Sequence, residues 1–178
     1  MRRSTACLAL LLGLWSPAGL AQLNVSIASF DPGVPEDYSL HRDLDVFPKI
    51  RAIESLFLPF VLREALTAAG DWGAVRVVPE PDESAELSIT GAIVHSDGES
   101  LAVSLRAVDA RGHEWIGATY HTTGRYEDLF ERFVADLAGI RDGLGDSTLR
   151  GIVNLSLMRY SAALVPDAFA DYFEQTPD

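Results

Sequence analysis

The sequence predicts an α/β (α+β) protein in which a mixed, mainly antiparallel sheet is covered by helices on one face. Three strand-like segments follow one another over residues 86–95, 100–108 and 114–122, and a glycine suited to a tight turn separates each pair. Segments with helical periodicity flank this meander, one over residues 48–69 and one from Tyr126 to about Gly143. Helices that precede and follow a hairpin-connected sheet are typical of two packed layers around one core.

Two shorter strands are predicted before the meander. Residues 23–27 alternate apolar and polar side chains, and residues 75–78 form a short valine-rich strand that Pro79 and Pro81 end. Between the first strand and the first helix, residues 31–45 are rich in prolines, glycine and acids, so we expect a loop there.

Pro48 suits the first turn of a helix, and Gly70 suits its end. The apolar side chains that recur at helical spacing are expected to face the sheet; they are Ile50, Ile53, Phe57, Phe60, Val61 and Leu66. Pro59 interrupts this segment and has no amide hydrogen, so a kink or a break is expected near residues 55–59.

The period of two assigns the two faces of the meander. Leu87, Ile89 and Leu105 point toward the helices, and the side chains between them point to an open, polar face. The same alternation puts His95 on the covered face and His121 on the open one. We predict that the open face is a surface for binding a partner protein, formed by Ser88, Thr90, Ser104, Arg106 and Thr119.

A C-terminal helical extension is predicted over residues 146–178. Asp146 and Ser147 can cap a helix, and Pro166 can open a short last one. The aromatic side chains of this last segment either close the core or dock a partner, because aromatic residues serve both purposes. The last segment also offers a second candidate partner-binding surface, formed by Phe169, Tyr172 and Phe173.

Residues 1–21 have the pattern of a secretory signal peptide. Arg2 and Arg3 precede an apolar run that ends at about Trp15, and small residues follow before Gln22. Cys7 precedes the apolar run, whereas a lipid-attachment cysteine would follow it, so we expect no lipoprotein anchor. The sequence therefore predicts a soluble periplasmic protein with one domain over residues 22–145 and the extension after it.

Charge limits the partners. Removal of Arg2 and Arg3 with the signal leaves 26 acidic and 12 basic residues, a net charge of −14. Phosphate backbones would repel such a chain, so nucleic acid is excluded as an expected partner. No transmembrane segment is expected in the mature chain.

No catalytic motif or metal-ligand spacing is present. The serines lack a nucleophile turn, the acids of the 31–45 loop lack the glycine and closing glutamate of a calcium loop, and the histidines (His41, His95, His113 and His121) are scattered. We therefore expect no enzyme activity, no metal and no cofactor. The alternative is a small-molecule or glycan binder, or a hydrolase, with a cleft near the 31–45 loop and His41 or His95 beside carboxylates.

The order of elements resembles the N-terminal domain of the periplasmic protein TolB and, more loosely, the curli-secretion and penicillin-binding-protein-activator lipoproteins. The likeness covers about residues 23–143 and is carried by the strand 86–93 with Gly91, the Ser96-Asp97-Gly98 turn, the strand 101–112 and the helix from Tyr126. The resemblance implies a non-enzymatic module that binds other envelope proteins. There is no room for the propeller that follows this domain in TolB, and the helices after Ser147 have no counterpart there.

Overall fold

The computed structural model describes residues 22–43 and 46–166. The predicted signal peptide and the aromatic side chains of Phe169, Tyr172 and Phe173 lie outside these described residues. No helix within the described ranges is both long enough and apolar enough to cross a membrane.

Five strands form one mixed sheet in the order β2-β1-β3-β4-β5. The strands are β1 (Val25–Ala28), β2 (Val75–Val78), β3 (Leu87–Ser96), β4 (Leu101–Asp109) and β5 (Glu114–Thr122). Strand β1 lies between β2 and β3 and runs parallel to both, and β3, β4 and β5 are antiparallel hairpin neighbours. The predicted α+β class, with a mainly antiparallel meander, is confirmed.

Four helices accompany the sheet in the described part of the chain: α1 (Leu40–Asp43), α2 (Pro48–Ala69), α3 (Tyr126–Asp142) and α4 (Asp146–Leu164). The short helix α1 lies inside the segment that was predicted to be a loop. Gly70 ends α2 with a φ of 72°, a left-handed conformation that glycine adopts without steric cost.

Helices α2 and α3 pack together over one face of the sheet. The core between the layers contains Leu58, Leu62 and Leu66 of α2 and Phe130 and Phe133 of α3, all with no exposed surface. These side chains meet the alternate strand positions that the period of two assigned to the covered face. The predicted separation into a covered apolar face and an open polar face is therefore correct for the meander.

The orientation predicted for the first long helix was wrong for four of its residues. Ile50, Ile53, Phe57 and Phe60 are 45–67% exposed, and the residues that face the core lie on the opposite side of α2. Those buried residues include Arg51 and Ser55. Because these polar residues interrupt the core-facing stripe, hydrophobic periodicity does not identify that side of α2 as the buried one. The break expected at Pro59 is also absent, since α2 is one continuous helix.

Helix α4 begins at Asp146, where the C-terminal extension was predicted to start. Leu149 and Ile152 are buried in the same apolar cluster as the sheet and the other helices. Further along α4, Ser156 donates a hydrogen bond to the carbonyl of Ser84 at 2.6 Å, and Arg159 donates one to the carbonyl of Glu83 at 3.0 Å. The division of the chain into 22–145 and 146–178 stays a prediction.

Candidate functional site: the open sheet face

The five predicted residues of the meander share the face of the sheet opposite α2 and α3. Register pairs Thr90 with Arg106 across β3 and β4, and Ser104 with Thr119 across β4 and β5. Ser88 lies two residues before Thr90 on β3 and thus points the same way. Arg106 and Thr119 are exposed, and the other three are partly buried. We call this set the open face; its role in binding stays a prediction.

A cleft of about 340 Å³ lies over the β3–β4 part of the open face. Ser88, Thr90 and Arg106 form its floor, the loop between β2 and β3 contributes Asp82 and Glu83, and α4 contributes Arg159. The cleft therefore combines hydroxyl groups, two guanidinium groups and carboxylates, a mixture suited to polar contacts of either charge.

Arg106 is held in place from the neighbouring strand. Its Nε lies 2.6 Å from a carboxylate oxygen of Glu114 on β5, in an ion pair whose two side chains are about half exposed. Gly117, the register partner of Arg106, leaves room for this pair, because a Cβ atom at that position would collide with the Glu114 carboxylate. A surface pair of this kind contributes little stability, so its main effect is to orient the guanidinium group.

Ser26 lies beside the cleft on β1, in register with Ser88. Its side chain is 1% exposed, and its hydroxyl oxygen has no hydrogen-bond partner within the described part of the protein. Buried hydroxyl groups are ordinarily hydrogen-bonded. The unpaired hydroxyl of Ser26, which lies beneath the open face, is therefore an exception.

The turn at the end of β4 is organised by Asp109, whose side chain is fully buried. Its carboxylate accepts hydrogen bonds from the Arg111 guanidinium (2.8 Å), the Trp115 indole (3.2 Å) and the amides of Arg111 and His113 (2.8 and 3.1 Å). Burial acts to raise the pKa of Asp109, but these four donors outweigh it and hold the pKa below its ordinary value. This cluster fixes one end of the cleft.

The prediction that His95 and His121 lie on opposite faces of the sheet was wrong. The register of β3 against β4 shifts between Ile93 and His95, so both histidines pair with Ala102 and point to the open side. An extra residue in a strand reverses the alternation after it, and Val94, which is 58% exposed, is that residue. Within the described residues, no group of three or more His, Cys, Asp or Glu side chains could hold a metal ion.

The individual histidines have local partners. His95 lies 3.0 Å from the carboxylate of Asp97 at the β3–β4 turn. His41 lies 2.8 Å from the carbonyl oxygen of Pro35 and packs against the ring of Tyr38, with 4.9 Å between the centroids. This contact engages Nε2 of His41, whereas Nδ1 is buried and has no hydrogen-bond partner within the described residues.

Sequence reasoning missed the residues that the β2–β3 loop and α4 bring to the open face. Asp82, Glu83 and Arg159 reach the cleft only because α4 folds back onto that loop. Arg159 and Glu83 are 76 positions apart, and no local pattern predicts such a contact. Tyr160 of α4 is 54% exposed and lines a second cleft of about 330 Å³ with Asn24 and Arg76.

Comparison with known proteins assigns no family to this chain. No protein-family model matches the chain. No curated protein matches it either. Among solved structures, a PelC dodecamer from Paraburkholderia phytofirmans is similar over 70% of this chain and 91% of its own, with 16% sequence identity and a TM-score of 0.40. A likeness at this level carries no argument about function.

Proposed function

We propose that this protein is a non-enzymatic, periplasmic protein-binding module of the bacterial cell envelope, and that its partner contacts the open face. The observation that carries the proposal is the asymmetry of the sheet. Helices α2 and α3 cover one face, whereas the other presents Arg106 and Thr119 to solvent around a polar cleft. The periplasmic location is supported by the signal-peptide pattern of residues 1–21.

The open face suits a protein partner for two reasons. It extends over the three strands β3, β4 and β5 around the cleft of about 340 Å³, and a surface of this extent is what a protein interface needs. Its centre carries an arginine that Glu114 orients, and arginine is enriched among the residues that dominate binding energy.

The test begins with purification of the processed protein from its native periplasmic fraction, identification of any stoichiometric partner by mass spectrometry, and reconstitution from the two purified components. N-terminal sequencing of the processed protein should begin at Gln22. In the reconstituted complex, Arg106→Glu and Thr119→Arg should each weaken binding at least about tenfold, because both place an unmatched group in the interface.

Arg150→Glu is the matched control. Arg150 is exposed on α4 and is absent from the residues that line the cleft, so the same charge reversal should leave affinity unchanged. If both open-face variants bind the reconstituted partner as the native protein does, the open face is not the binding surface and the proposal fails.

A small anionic molecule or a glycan is the second candidate. The cleft volume of about 340 Å³ is at the lower end of ligand pockets, and Arg106 and Arg159 both reach it. Saturable binding of a defined oligosaccharide that Ser88→Ala and Arg159→Ala abolish, without any stoichiometric protein partner, would favour this candidate over the first.

A further inference from the structure

The outer side of α2 carries an exposed apolar stripe that no described element covers. The residues are Ile50 (53% exposed), Ile53 (67%), Leu56 (58%), Phe57 (53%) and Phe60 (45%), and we call them the outer stripe. Their spacings of three and four residues place them along one side of the helix. This side lies opposite the core-facing residues Leu58, Leu62 and Leu66.

Helix α2 is therefore apolar on both sides, a property of helices that are covered all round. At the area expected for such side chains, the outer stripe exposes about 600 Å². An area of about 600 Å² is at the upper end of the largest apolar patches that ordinary monomers expose. With its flanking residues, the outer stripe approaches the roughly 800 Å² that each partner contributes to a standard interface.

Charges at the two ends of the stripe indicate what covers it. Lys49 lies at one end and Glu64 at the other, and both are exposed, whereas the adjacent Arg63 is partly buried with its guanidinium carbon 5.2 Å from the centre of the Phe60 ring. Their positions, 15 residues apart, place them on the same side of the helix as Ile53 and Phe60. Lys49 is the only lysine in the chain. A helix with a positive and a negative end around an apolar centre is complementary to itself when a copy is turned end for end.

We infer that two copies of this protein pair through the outer stripe, with their α2 helices antiparallel about a two-fold axis between Leu56 and Phe57. In this register Ile53 of one copy packs on Phe60 of the other. Lys49 of each copy meets Glu64 of its partner. The interface lies on the side of the protein away from the open face, so the proposed partner surface stays accessible in the dimer.

The first test is the mass of the purified, signal-cleaved protein over a concentration series in an analytical ultracentrifuge. The native protein should form a dimer, and Ile53→Glu should raise the dissociation constant at least about a hundredfold, because it puts two charges into the apolar centre. Since Ile53 is exposed, the circular dichroism spectrum of the variant should be unchanged. Leu164→Glu is the matched control: Leu164 is 63% exposed on α4 and should leave the dimer intact.

The second test fixes the register. Lys49→Glu and Glu64→Lys should each weaken the dimer, and the double variant should restore it, because the exchanged charges again meet. Carbodiimide cross-linking should join peptides that contain Lys49 and Glu64. These two residues are about 22 Å apart along one helix, so a direct amide between them can form only between copies.

Two results would overturn the inference. The native protein could remain a monomer at every concentration, or its dimer could tolerate Ile53→Glu as well as Leu164→Glu. A dimer that Ile53→Glu dissociates, but that the exchange of Lys49 and Glu64 does not rescue, would disprove the antiparallel register. The readout is self-association alone, so it does not depend on whether the open face binds a partner.

Discussion

The backbone amide of Phe30 donates a hydrogen bond to the carbonyl oxygen of Ser55, with 3.0 Å between the two atoms. Ser55 precedes Pro59 by four residues, and proline has no amide hydrogen to offer that carbonyl. The chain that leaves β1 supplies the missing donor, so the buried acceptor is satisfied and α2 remains continuous through Pro59. One contact thus joins the segment after β1 to helix α2.

The ring of Phe30 depends on a glycine in the neighbouring strand. A Cβ atom at Gly91 would lie 2.7 Å from a ring carbon of Phe30, well inside contact distance. Gly91→Ala should therefore lower the free energy of unfolding by about 1–3 kcal/mol, through displacement of a buried ring. Urea unfolding followed by tryptophan fluorescence measures the effect.

Gly139→Ala is the control for that change. Gly139 lies inside α3, and a methyl group there would meet no atom within 4 Å beyond its own helix backbone. Alanine should therefore stabilise the protein by about 0.5–1 kcal/mol through helix propensity. The two substitutions are expected to change the free energy of unfolding in opposite directions. A Gly91→Ala protein as stable as the native one would show that the Phe30 ring is not fixed against β3.

A second prediction concerns the buried charge on α2. The Arg51 side chain is 3% exposed; it lies 3.9 Å from the Glu54 carboxylate and 3.4 Å from the carbonyl oxygen of Ile93. Burial lowers the pKa of Arg51, and the nearby carboxylate acts against this shift. Glu54→Ala should cost about 3 kcal/mol, because it leaves a buried cation without its partner.

The double variant Arg51→Met with Glu54→Ala separates charge from packing. Methionine fills the same site without a charge, so the double variant should be more stable than Glu54→Ala alone in thermal unfolding. The opposite order would mean that the carboxylate acts through Ser96, whose hydroxyl donates to it at 2.6 Å, rather than through Arg51.

The third prediction uses the acid sensitivity of the β4–β5 turn. Because the pKa of Asp109 is lowered by folding, the folded protein holds this proton less tightly than the unfolded chain. Its stabilisation is present above the ordinary carboxyl pKa of about 4 and is lost as the pH falls below it. Asp109→Asn should cost about 1–3 kcal/mol at pH 7 and reduce the loss of stability as the pH falls below about 4.

Asp97→Asn provides the comparison in the other hairpin turn. Hydrogen bonds from the amides of Ser100 and Glu99 also hold the pKa of Asp97 below its ordinary value, but this carboxylate is exposed, so solvent screens its interactions. The effect of Asp97→Asn at pH 7 should be smaller than that of Asp109→Asn. Chemical unfolding of the three proteins at several pH values decides the matter, and an Asp109→Asn protein with the native acid profile would rule out the role assigned to this carboxylate.

Much of the sheet could be predicted from sequence because its signals are local. Turn glycines at Gly98 and Gly112 and the period of two located β3, β4 and β5 to within a residue or so at each end. The period of two does not predict the bulge in β3. Val94 is apolar and fits either face of the sheet. The alternation of apolar and polar residues therefore gives no sign of the irregularity that turns His95 to the open side.

The face of α2 could not be predicted for a different reason. The helix has apolar side chains on both sides, and the side that enters the core also contains Arg51 and Ser55. Hydrophobic periodicity then favours the uninterrupted outer stripe. The cleft could not be predicted either, because Arg159 and the β2–β3 loop meet only after α4 has folded back onto that loop.

The last prediction concerns alkaline unfolding. The Tyr120 hydroxyl donates a hydrogen bond to Asp136 at 2.7 Å, and its ring packs edge-on against Phe133 with 5.4 Å between the centroids. Burial, together with this bond and the negative charge of Asp136, raises the pKa of Tyr120 above its ordinary value.

The folded state thus favours protonated Tyr120, and its contribution is complete below the ordinary tyrosine pKa of about 10 and is lost as the pH rises above it. Tyr120→Phe should cost about 1 kcal/mol at pH 7 and flatten the decline in stability above pH 10. Tyr38→Phe is the control, because Tyr38 is 82% exposed and should leave the profile unchanged. Equal alkaline profiles for the native protein and Tyr120→Phe would show that Tyr120 does not anchor α3 to β5.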